Sequence, residues 1–412
     1  MRLTLPFDVR PDPGLPVPPY WDTRLDHGAA AEPPGGGARL LEAACGYWAR
    51  RGLPVDTRHA LAAPGAEPLL LALLAATDGD PVLARPAAAW QQPLARLLRR
   101  RVHTVPTPPE GGGVPDPFAL LETVRRARAE GGAPRLLVLS AADDPSGTVS
   151  PPELLHETCE AAAEAGLMIV SDETYSDTLH HHDTVLLSPA EMLPDHTVVI
   201  TDLGATLVPV SVPAALARFP GTDHGAAWRE RAAAALAAMR AALTGPVAAA
   251  TGYVLTEPPE VTDHRAAANR LHARVGAAAY RAVTEAGAVC RPPKAGFQLY
   301  PTLSTTGVPG APGTPAMTAE QAEERLSAAL GRPVLGGHRF GDDPAEPRVR
   351  IDIGALLGAT ETERRTALTA ADPVSAPHVA AGLAALTSAF AELCGPGAAT
   401  GPAGSGSRGR GA

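Results

Sequence analysis

Lysine is all but missing. Of 35 basic residues one, Lys294, is a lysine and the rest are arginine. Chemistry that needs a primary amine therefore has a single side chain to draw on. A GC-rich genome explains arginine in place of lysine on a surface. It does not explain the loss of a reactive amine from a site that still uses one. Aromatic residues make up 4%, so Ala, Leu and Val must fill the core. Four cysteines (Cys45, Cys159, Cys290 and Cys394) lie far apart, with no CxxC or Cys/His pattern. That excludes a disulfide framework and a cysteine zinc site. Positive charge is not in excess: the net charge is −9, against a nucleic-acid or anionic-membrane surface. The run Arg99-Arg100-Arg101 reads as a helix end meeting solvent. No stretch approaches the roughly 18 apolar residues of a membrane span. Residues 1–19 are proline-rich, contain Asp8 and Asp12 and lack the apolar segment of a signal peptide. A cytoplasmic protein is expected, with no nucleic-acid and no membrane partner.

What is present suits a two-domain globular chain: 412 residues, 45% hydrophobic, with abundant Pro (44) and Gly (41) as punctuation. Residues 1–35 read as an extended arm. From residue 36 to 253 helical periodicity alternates with short apolar runs. Helices are expected at 38–51, 66–77, 87–100, 117–130 and 151–165. Strands are expected at 81–84, 102–105, 135–140, 167–171 and 197–201. Continuous apolar strands between amphipathic helices predict a mainly parallel sheet covered on both faces. Residues 254–395 read as a smaller α+β domain, with a long helix at 258–286 and short strands at 288–291, 297–301 and 348–353. Thr305 to Pro315 reads as a loop and 396–412 as a disordered tail. His180-His181-His182 cannot all face one ion on a strand, because alternate side chains point opposite ways; no metal is expected. Lys294 reads as a solvated surface lysine.

Three pieces recur in a telling order: Asp143-Asp144-Pro145-Ser146-Gly147-Thr148, then Ser171-Asp172-Glu173-Thr174-Tyr175, then Val349-Arg350-Ile351-Asp352-Ile353. Together they resemble the Asn-Pro-Thr-Gly turn, the strand-end Ser-Asp-Glu-x-Tyr and the Val-Arg-Leu-Ser-Phe of class I/II aminotransferases of fold type I. The resemblance spans about residues 36 to 394. It implies an α/β fold with a large, mainly parallel-sheet domain and a smaller α+β domain. It also implies a dimer and a pyridoxal phosphate (PLP) site. In that family the Asp matched by Asp172 pairs with the cofactor's ring nitrogen, and the Tyr matched by Tyr175 donates to its ring oxygen. The Arg matched by Arg350 grips a substrate carboxylate.

The departures cluster where the cofactor would sit. The family's Ser-Lys-Ser/Thr reads Gly204-Ala205-Thr206, so Ala205 stands at the imine lysine and Gly204 at a phosphate-binding hydroxyl. Pro213 stands where a phosphate-binding Arg is expected. Gly65-Ala66-Glu67 replaces Gly-Ser-Lys at a helix start, placing a carboxylate where an anion would bind. Asp144 replaces the Asn that faces the ring oxygen. Trp90 lies near the position of the stacking aromatic. Asp144 and Asp172 should repel, so one should have a raised pKa or pair with Arg or His.

Three functions fit these residues. One is an aminotransferase homologue without ordinary transamination, its cleft empty or reused by Asp144, Asp172 and Tyr175 for acid–base chemistry on a small carboxylate held by Arg350. A second is a non-catalytic partner, forming a homodimer or a heterodimer with a paralogue. A third holds PLP or pyridoxamine phosphate (PMP) non-covalently, without an imine. No cofactor is expected under the first.

Overall fold

The computed structural model describes residues 10–25, 32–108, 110–303 and 317–394. The expected tail at 396–412, the loop Thr305 to Pro315 and parts of the arm lie outside them. Seven strands form the larger sheet: β1 (Ala60–Ala63), β2 (Asp80–Arg85), β3 (His103–Pro106), β4 (Pro134–Ser140), β5 (Met168–Asp172), β6 (Thr197–Asp202) and β7 (Ala215–Arg218). Their order is β1-β7-β6-β5-β4-β2-β3. The run from β3 to β6 is parallel, and β7 is antiparallel to both its neighbours.

Around this sheet lie α1 (Pro19–Leu25), α2 (Ala38–Ala49), α3 (Ala66–Ala75), α4 (Gln91–Leu97), α5 (Pro117–Ala129), α6 (Pro152–Glu164), α7 (Pro189–Met192), α8 (Asp223–Ala238) and α9 (Gly245–Val254). Strand β4 shows why both faces are covered. Its Leu136 and Val138 pack with Leu70 and Leu73 of α3 and Trp228 of α8. Leu137 and Leu139, pointing the other way, pack with Leu120 of α5 and Leu155 of α6. Burying each such leucine contributes about 1.5–3 kcal/mol.

A second layer holds α10 (Pro259–Glu285), α11 (Ala319–Leu330), α12 (Glu361–Thr369) and α13 (Pro377–Cys394) around a small antiparallel sheet. That sheet contains β8 (Gln298–Leu299), β9 (Leu335–Gly336) and β10 (Val349–Asp352), ordered β8-β10-β9. Its apolar cluster reaches back to Ala142, Tyr175 and Ala205 at the strand ends of the larger sheet.

Some expected elements differ. The arm contains a helix, α1, because Tyr20 and Trp21 bury themselves and α1 packs on α9. Helix α4 starts late, at Gln91; ahead of it the Ala87 amide donates to the Phe340 carbonyl. Residues 288–291 give only an isolated bridge between Val289 and Thr302. Arg99 turns with φ 55° just beyond α4, where the arginine run leaves the helix.

Candidate functional site

The strand ends of the parallel sheet build one small cavity of about 40 Å³, lined by Arg10, Ala66, Glu67, Trp90, Asp144, Asp172, Thr174, Tyr175, Asp202 and Ala205 among others. Such crevices form because successive turns leave the sheet at its carboxyl edge. Asp172 is the last residue of β5 and is 4% exposed. Its Oδ1 accepts the Thr174 amide (3.1 Å) and hydroxyl (2.7 Å). Burial raises its pKa to about 6; the Thr174 hydrogen bonds hold it down, and the Asp144 and Asp202 charges push it up. Tyr175 is buried edge-on against Phe297 at 5.6 Å, and burial raises its pKa well above the usual value.

Asp144 lies in the turn after β4. Its Oδ1 accepts Arg350 Nη1 at 3.2 Å. Arg350 sits on β10, 2% exposed, and its Nε also donates to Asp352 Oδ1 at 3.0 Å. Burial raises the Asp144 pKa while Arg350 pulls it back. Burial likewise lifts Asp352, to about 6, against the same arginine. The expected carboxylate clamp thus grips two carboxylates of its own chain. The structure brings Asp144, Asp172, Tyr175, Ala205 and Trp90 to one cavity and places Arg350 directly behind Asp144. Repulsion between Asp144 and Asp172 is relieved both ways: Asp144 pairs with an arginine and Asp172 has a raised pKa.

Asp202, the last residue of β6, has a second structural task. Its Oδ1 accepts the Gly204 amide at 2.9 Å and its Oδ2 the Ala66 amide at 3.1 Å. It therefore caps both the turn carrying Ala205 and the start of α3. Glu67 occupies the first turn of α3. Arg10 reaches in from the arm, with Nε 3.4 Å from Glu67 and Nη1 3.9 Å from Asp202. Pro213 packs beside Gly65. Ala66, Gly204 and Ala205 are all buried.

Sequence reasoning missed Arg10, Asp202 and Asp352. Asp202 carried a signal: like Asp172, it is a carboxylate ending an apolar strand. Asp352 shares the face of Arg350 by period-two alternation. Arg10 had no local signal. Lys294 is exposed and lines a different surface pocket with Glu110, Ser150 and Asp183. His181 and His182 are exposed, but His180 is partly buried and donates from Nε2 to the Gly296 carbonyl at 2.8 Å. Among the described residues no cluster suits a metal ion, and no helix is long and apolar enough to cross a membrane.

Residues 27–364 match the family described as "Aminotransferase class I and II". A probable aspartate/prephenate aminotransferase of Thermus aquaticus is 32% identical over 173 residues, 41% of this chain and 43% of that protein. The aspartate/prephenate aminotransferase of Thermus thermophilus is 32% identical over 172 residues, with the same shares. The chain aligns with under half the length of these relatives. In overall shape it is similar to the aspartate aminotransferase of Thermus thermophilus solved with maleate, at TM-score 0.73 and 22% identity over 94% of this chain and 90% of that one. It is also similar to an aromatic aminotransferase of Pyrococcus horikoshii OT3, at TM-score 0.73 and 18% identity, covering 93% and 94%.

The family match corrects the expectation that no cofactor is involved: it points to PLP. The arrangement of this chain's own side chains is a poor fit to that group. Ala205 offers no amine, and the start of α3 already holds the carboxylates of Asp202 and Glu67 where a phosphate would need donors.

Proposed function

This chain belongs to the class I and II aminotransferase family, and from that premise we propose that it has lost lysine-dependent transamination. The observation that carries this reading is Ala205 on the cleft wall beside Asp172 and Asp202, while the one lysine lies exposed in another pocket. Without an amine in the cleft no imine can tie the cofactor to the protein there. What the cleft retains is a buried carboxyl, Asp172, with a pKa of about 6, able to exchange a proton near neutrality. The small-carboxylate part of the expectation loses support, because Arg350 is held by Asp144 and Asp352. By the resemblance we also infer a homodimer, which size-exclusion chromatography checks.

The test mixes the purified protein with PLP, aspartate and 2-oxoglutarate. Oxaloacetate should not form above the protein-free rate, and borohydride should fix no stoichiometric pyridoxyl label. Turnover with a one-to-one label would overturn the proposal.

A further inference from the structure

A second cavity, of about 210 Å³, lies back to back with the cleft. One short segment divides the two. Asp172, Thr174 and Tyr175 line the cleft, while Glu173, Ser176 and Asp177 line the second cavity. Strand β6 contributes Thr201, on the same face as Val199, and Val199 packs in the cluster of Trp48 on α2. The Glu173 amide donates to the Ile200 carbonyl at 2.8 Å. That bond carries the pairing of β5 with β6 one residue further and sets Glu173 beside Thr201.

The polar groups of this cavity are unevenly satisfied. Thr201 is 6% exposed, yet its hydroxyl has no hydrogen-bond partner among the described residues. The Ser176 hydroxyl is buried and also unpartnered. Glu173 is buried too; its Oε1 accepts the hydroxyls of Ser171 and Ser188, and its Oε2 accepts none among the described residues. A buried hydroxyl left without a partner costs about 1–3 kcal/mol, so a cavity that keeps one calls for an occupant. The charged groups are already engaged. Arg51 is held by Asp177 and Glu257, and Glu191 is exposed and accepts the Ser188 amide. Burial raises the Glu173 pKa to about 7, against the hydrogen bonds from Ser188 and Ser171. That carboxyl serves a hydroxyl, as acceptor or donor, better than it serves an ion. The rest of the wall is apolar: Trp48, Leu53, Leu179, Leu186 and Leu187. The last three are half-buried, so a ligand covering them removes apolar surface from water.

We propose that the second cavity binds a small neutral alcohol, with its hydroxyl between Thr201 and Glu173 and its apolar body against Trp48 and the three half-buried leucines. A dry cavity of about 150 Å³ holds one benzene. The volume of about 210 Å³ here takes such a ring with a hydroxymethyl arm. The site is separate from the cleft and does not depend on what the cleft holds.

Isothermal titration of the full chain with four ligands of one shape and different head groups tests this: benzyl alcohol, toluene, benzoate and benzylamine. Benzyl alcohol should bind at least about tenfold more tightly than the other three, the value of one net hydrogen bond. Thr201→Val keeps the shape and removes the hydroxyl. It should bring benzyl alcohol down to the affinity of toluene and leave toluene unchanged, while Thr201→Ser should keep the preference. Because the Thr201 hydroxyl has no partner, Thr201→Val should unfold at no lower temperature than the native chain. A clear drop would show that the hydroxyl is already bonded, and would overturn the proposal. So would a Thr201→Val variant that binds benzyl alcohol as the native chain does, equal affinity of the native chain for toluene and benzyl alcohol, or tighter binding of either ion. Binding of none of the four would leave the cavity to water and overturn it as well.

Discussion

The carboxylate of Asp202 accepts the backbone N–H of Ala66 at 3.1 Å. One strand end thereby caps a helix 136 residues earlier in the chain, at the point where a helix of this fold would otherwise offer its amides to an anion. Asp202→Ala removes this cap and the one on Gly204. The expected loss is about 1–2 kcal/mol, read as a lowered urea midpoint with unchanged slope. An unshifted midpoint would show that neither contact stabilises the fold.

Arg350 pairs with Asp144, both side chains buried, and with the partly exposed Asp352. Asp144→Ala takes from the guanidinium its fully buried carboxylate partner, and Arg350→Ala leaves two carboxylates without the cation between them. Removing one side of a buried pair costs about 3–5 kcal/mol, so both variants should unfold at clearly lower temperature. Equal stability to the wild type would mean that the pair is open to water.

Arg51 donates to Asp177 and to Glu257, each at 2.7 Å, and lies over the Tyr47 ring at 3.5 Å. A lysine keeps the charge and loses both the fork and the flat stacking surface. Arg51→Lys should cost about 1–2 kcal/mol, measurable by chemical denaturation. A change below experimental error would reduce the network to surface pairing.

Stability should rise as the pH is lowered from 8 to 6.5. Burial raises Asp143 and Glu173 to about 7 and Asp172 to about 6. The folded chain then holds protons that the unfolded chain, with ordinary carboxyl values, has released. That preference is lost as the pH climbs through 6 to 7. His272, depressed to about 4 by burial, acts in the opposite sense, but mainly below its unfolded value near 6.5. The net gain should be on the order of 1 kcal/mol, and Asp143→Asn with Glu173→Gln should flatten it. A wild-type thermal midpoint that falls on going from pH 8 to 6.5 would contradict these assignments.

Ala205→Lys alone should not restore transamination. The new amine would lie beside Asp172 and Asp202, while Asp202 and Glu67 still hold the start of α3. The aspartate and 2-oxoglutarate assay checks this, and turnover in the single variant would show that the missing amine is the whole defect.

Much of the architecture was legible because it is local. The apolar runs of β4, β5 and β6 between amphipathic helices specify a buried parallel sheet. The long period of α10 appears within a residue or two of its expected ends. Strands β1 and β7 escaped notice because Ala60-Leu61-Ala62-Ala63 and Ala215-Leu216-Ala217-Arg218 have weak strand propensity; pairing with each other and with β6 makes them strands. Helix α9 begins on Gly245-Pro246, a pair that by local pattern can end a helix, although proline in a first turn equally marks a helix start.

The sequence by itself determined the family resemblance, the placement of Asp144 in a turn and of Asp172 at a strand end, and the absence of an amine at position 205, since each depends on residue identity or short-range pattern. Only the tertiary structure decided what those groups face. Arg350 meets Asp144 across 206 residues, Asp202 meets Ala66 across 136, and Arg10 arrives from an arm with no periodic pattern of its own. Charge pairing in a buried cleft depends on distances and desolvation that exist only once both layers have closed, so the acidic character of the site was written in no single segment of the chain.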